Sequence, residues 1–79
     1  MGKNGFLTVD LHGCNQYQAR IRLDSAFRRV GREVYRIRVI HGHNGGTVLR
    51  ELTRAYENHP KVKRMIAAEG DTTFILREI

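Results

Sequence analysis

The chain has 79 residues, 14 of them Lys or Arg against 8 Asp or Glu, for a formal charge of +6 at neutral pH. That length makes one domain, near the size at which a single apolar core barely suffices, and the lone cysteine, Cys14, excludes an internal disulfide. No apolar stretch reaches bilayer-spanning length, and the first residues lack the apolar core of a secretory signal.

These exclusions point to a cytoplasmic monomer that does not use a membrane. Phe6 stands where a myristoylation signal has Ser or Thr. Eleven of the 14 basic residues are arginine, whose forked guanidinium suits phosphate. The charge therefore favours nucleic acid as a partner.

Residues 1–5 read as an N-terminal tail and 6–79 as one domain. Leu7, Val9 and Leu11 alternate with Thr8, Asp10 and His12, the period of a strand with one apolar face. Asn15, with Gln18 three residues on, makes a capping-box pattern. Ala19, Leu23, Ala26, Phe27 and Val30 follow at helical spacing and predict a helix to about Gly31. Its other faces carry Arg20, Arg22, Arg28 and Arg29.

Tyr35, Ile37, Val39 and His41 alternate with Arg36, Arg38 and Ile40 as a second strand. The length of the crossover predicts that the two strands are parallel neighbours. Gly42 to Gly46 form a loop, Thr47 is placed to cap a second helix, and Val48, Leu49, Leu52, Ala55 and Tyr56 supply its apolar stripe. Pro60 ends that helix no later than Asn58. Val62 to Ile66 and Thr72 to Ile79 read as two more strands, joined around Gly70-Asp71 as an antiparallel hairpin. The order β-α-β-α-β-β implies a two-layer α/β sandwich, a four-stranded mixed sheet with both helices on one face. Phe6, Phe27, Phe74, Tyr35 and Tyr56 fall on core phases rather than on a base-stacking surface, and His59 reads as a surface turn residue.

Both parallel strands end in His-Gly, at the sheet edge where α/β domains place their ligands. Asp10 and His12 are two apart, the spacing by which a strand puts a carboxylate beside an imidazole for acid–base work. The same residues also fit a plainer arrangement, Asp10 capping a loop amide and His12 closing the strand. His41 is the equivalent imidazole of the second strand. Gly42, Gly45 and Gly46, with His43 and Asn44 between them, let a ligand approach the backbone. The amides from Thr47 onward open a helix and suit an anion, and Arg50 stands one turn further on. This is not a Walker A loop, because no Gly-Lys-Ser/Thr follows. Lys63 and Arg64 are further candidate phosphate contacts. His12, His41, His43 and Asp10 together would suit a metal if they converge, and a divalent ion, Mg or Mn, is a candidate cofactor.

In order, Val9-Asp10-Leu11-His12-Gly13, Ala19 with Leu23, Ile40-His41-Gly42, Gly46-Thr47-Val48-Leu49-Arg50 and His59-Pro60-Lys61-Val62 resemble the pattern of the Smr (small MutS-related) domain family. The resemblance runs from about Phe6 to Ile79. It implies a fold like the C-terminal domain of a bacterial translation initiation factor, and nicking or cleavage of DNA or RNA. It carries Asp10 and His12 over from the family's L-D-L-H motif, and His41 and Gly42 from its H-G-x-G motif. The expected function is therefore nucleic-acid binding with endonuclease activity. A non-catalytic binding module and a protein adaptor using an uncovered sheet face are the alternatives.

Overall fold

The computed structural model describes residues 5–31, 33–42 and 47–77. Along the chain run β1 (Gly5–Asp10), α1 (Gln16–Arg29), β2 (Val34–Ile40), α2 (Thr47–Arg54), a 3₁₀ turn (Ala55–Asn58), β3 (Val62–Ala67) and β4 (Asp71–Leu76). The sheet order is β1-β2-β4-β3. β1 and β2 are parallel, and β4 is antiparallel to both β2 and β3. The chain is a two-layer α/β sandwich, with the helices on one face of a four-stranded mixed sheet, as the sequence implied.

The capping box forms in full. Asn15 Oδ1 accepts the Gln18 N–H at 2.8 Å, and Gln18 Oε1 accepts the Asn15 N–H at 3.0 Å. At the other end α1 closes at Arg29, two residues short of expectation, because Val30 is extended. Lys61 Nζ donates to the Phe27 carbonyl at 2.6 Å and sets a cation at the negative end of that helix.

The apolar face of α1 packs Ala19, Leu23 and Phe27 onto Leu11, Ile37, Val39 and Phe74, all essentially inaccessible to solvent. Phe27 stacks on Tyr56 and His59, with centroids 5.4 and 4.5 Å away, and meets Phe74 edge-on at 5.5 Å. His59 is thus a packed ring rather than a surface turn residue. Its Nδ1 accepts the Lys61 N–H at 3.1 Å, because Pro60 turns the chain back over the end of α1.

Other expectations shift locally. Thr47 is already helical, so the cap of α2 falls outside the described residues. Val48 is exposed, since Leu49 and Thr53 take the buried stripe. β4 ends at Leu76, and Ile79 lies outside the described residues. Phe6 and Tyr35 are half exposed, not core. Tyr35 lies over Gly5, where any Cβ would collide with its ring, and Gly5 has φ +88°. The aromatic ring therefore covers backbone at the start of the sheet instead of entering the interior.

Candidate functional site

β1 and β2 deliver their carboxyl ends to one rim, and β4 begins there because it runs antiparallel to β2. The Leu11 N–H donates to the Ile40 carbonyl at 2.8 Å, tying the two His-Gly turns together. The N–H groups of His41 and Gly42 both donate to the Gly70 carbonyl, at 3.2 and 2.9 Å. Three turns thus meet at this rim, those beginning at Leu11, His41 and Ala68.

The two histidines have different surroundings. β1 ends at Asp10, so His12 stands in the following turn and strand alternation does not extend to it. Asp10 Oδ1 accepts the backbone N–H of His12 at 2.9 Å. The carboxylate fixes the turn, and the His12 side chain is exposed to solvent. His41 is 3% exposed. Its Nδ1 lies 3.0 Å from the Gly42 carbonyl and its Nε2 lies 3.0 Å from Thr72 Oγ1. A carbonyl can only accept, so Nδ1 carries the hydrogen, and in the neutral ring Nε2 accepts from the Thr72 hydroxyl. Both nitrogens are engaged.

Gly13 and Gly42 have φ of +81° and +74°, and a Cβ on either would meet nothing within 4 Å. Glycine is needed there for backbone conformation, not for space. His43, Asn44, Gly45 and Gly46 lie outside the described residues. Thr47 is exposed at the start of α2, and Arg50 is half buried in its first turn. The Nε atoms of Arg50 and Arg54 are buried without a hydrogen-bond partner among the described residues. Lys63 and Arg64 stand at the start of β3, the end of the sheet opposite the rim, because β3 reaches the rim only at Ala67. The structure therefore separates them from Asp10, His12 and His41.

Two arginines reach the rim, of which the sequence placed Arg22 among the basic residues of α1 and Arg38 only on β2. Arg22 Nη1 donates to the Asp10 carbonyl at 3.1 Å, bracing the end of β1 from α1. Arg38 holds Asp71, with Nη2 2.8 Å from Oδ2. Neither partnership leaves a sequence signal, since each joins residues on different elements. A groove of about 350 Å³ follows the free edge of β1 toward Asp10, flanked by Arg22 and Arg29.

Among the described residues no three His, Cys, Asp or Glu side chains are grouped to hold a metal ion. Both ring nitrogens of His41 are engaged by Gly42 and Thr72, and His43, the fourth member of the candidate metal set, lies outside the described residues. Also among the described residues, no helix is long and apolar enough to cross a membrane.

No curated protein matches the chain at the sequence level. The crystal structure of the Smr domain of Thermus thermophilus MutS2 is similar in fold, with a TM-score of 0.75 and 22% identity over 92% of this chain and 98% of that one. The family model for the Smr domain matches residues 9–73, which include both His-Gly turns, both helices and the start of β4. By that match, and with the strand order and rim just described, the chain belongs to the Smr domain family.

Proposed function

We propose that this domain binds nucleic acid at the rim and cleaves its phosphodiester backbone. The observation that carries the reading is the parallel pairing of β1 and β2, which sets the exposed His12 turn beside the His41-Gly42 turn on a strongly basic domain. Arg22 and Arg29 flank the groove that leads to this rim. The guanidinium groups hold phosphates as forked donors.

The roles divide by exposure. The His12 imidazole is open to a substrate and serves as the acid–base group. Asp10 positions it through the backbone N–H rather than through the ring. His41 acts through packing: its bonds to Gly42 and Thr72 fix the second turn. Gly42, Thr47 and Arg50, which flank the segment 43–46, supply the second phosphate contact.

A binding module without turnover is the second reading, favoured by one observation. The Asp10 carboxylate is spent on a backbone amide, and among the described residues no imidazole is paired to it. Labelled single- and double-stranded RNA and DNA, incubated with the pure protein with and without Mg or Mn ions, decide between them. Shortened products support cleavage. Retarded but intact strands support the module, and no retardation at low salt rejects both.

A further inference from the structure

The sheet face away from the helices carries a second pattern. Paired positions across the four strands form ordered rows: Phe6, Arg36, Ile75, Arg64, then Thr8, Arg38, Thr73, Ile66. The third row, Asp10, Ile40 and Asp71, is the rim itself. The alternating positions Val9, Ile37, Val39, Thr72, Phe74 and Leu76 are buried beneath the helices, so the rows all lie on the uncovered side.

The first row has what a strand of bases needs. Phe6 is 50% exposed although it is large and apolar. The Arg36 guanidinium lies over its ring at 5.0 Å from the centroid, and at 5.5 Å from that of Tyr35. This arrangement braces the aromatic ring and places a cation beside it. Arg64 stands in the same row and is exposed. Exposed Arg77 follows β4 at that end of the sheet, its N–H bonded to the Lys61 carbonyl. Four paired strands give a surface about 14 Å across.

We propose that this face is a platform for single-stranded nucleic acid, with a base stacked on Phe6 and the backbone held by Arg36 and Arg64. The proposal rests on the reading that the domain binds nucleic acid, and it names the substrate class. A duplex keeps its base faces stacked on each other and offers none to Phe6, whereas a single strand offers every base as a π-face. Phe6 and Asp10 are four residues apart on β1, about 13 Å, so one strand reaches from the stacking ring to the rim. The charge argues for this occupant over an apolar protein surface: the row that exposes Phe6 also carries two guanidinium groups.

Fluorescence anisotropy with labelled single-stranded and duplex oligonucleotides tests it, using the parent, Phe6→Leu, Phe6→Ala and Arg36→Ala. Phe6→Leu keeps apolar bulk at an exposed edge position, so circular dichroism and the melting temperature should match the parent. Either Phe6 variant is expected to bind single strands about tenfold more weakly, with duplex binding altered by less than about twofold. Arg36→Ala should lower the log–log salt slope by about one. Parent-like single-strand affinity in both Phe6 variants overturns the platform, as does a parent that binds duplexes alone. Either result leaves the rim reading standing and the sheet face to a protein partner. A parent that binds no nucleic acid overturns both.

Discussion

His41 and Thr72 are 31 residues apart in sequence, yet the imidazole Nε2 and the threonine hydroxyl meet at 3.0 Å inside the protein. Thr72 is fully buried, and it anchors the end of β2 to the start of β4. Thr72→Val keeps the shape and leaves His41 Nε2 unsatisfied. A buried acceptor without a partner costs about 1–3 kcal/mol. A fall in melting temperature of roughly 5 °C or more is expected. An unchanged melt assigns this pair no structural role.

Asp10 and His12 make a sharper test of mechanism. Asp10→Asn removes the charge but keeps an oxygen that can accept the His12 N–H, so activity should stay near the parent's. Asp10→Ala removes the acceptor and loosens the turn. A severe loss in Asp10→Asn instead means that the carboxylate acts by charge, on the imidazole or on an ion.

His12→Ala removes an exposed side chain and leaves the strands paired. Binding should persist while cleavage falls by about 100-fold or more, the usual loss of an acid–base group. Parent-like turnover shifts the catalytic assignment away from His12.

Gly13 has left-handed backbone with open space around it. Gly13→Ala should therefore cost about 1 kcal/mol or more from backbone strain alone, and Gly13→Asn less. Denaturant melts of the two variants check the order. An equal cost means that the turn relaxes to another conformation.

Tyr56 gives a pH signature. Burial, then the hydrogen bond to Asp24 and the charge of Asp24, push its hydroxyl from 10.0 up to about 12. The folded state thus holds this proton more tightly than the unfolded chain does. Its stabilisation is complete below pH 10 and is lost as pH rises toward 12. Tyr56→Phe should have a flatter stability profile across that window, measured by thermal melts in alkaline buffers.

The sequence alone determined the architecture and brought the two His-Gly turns to one rim. Periodicity separates strands from helices, Asn15 and Gln18 announce a helix start, and crossover length dictates parallel β1 and β2. Those signals are local, so they survive without coordinates. Only the tertiary structure decided how the site residues are used. Asp10 turned to a backbone amide, His41 was buried against Thr72, and Arg22 and Arg38 came to the rim from other elements. Phe6 shares the phase of Thr8 and Asp10 and so lies on the face away from the helices, while Tyr35 keeps the phase of buried Ile37 and Val39 yet lies half exposed at the far end of the sheet. Alternation says which face a side chain is on, while burial depends on whether a helix reaches that far.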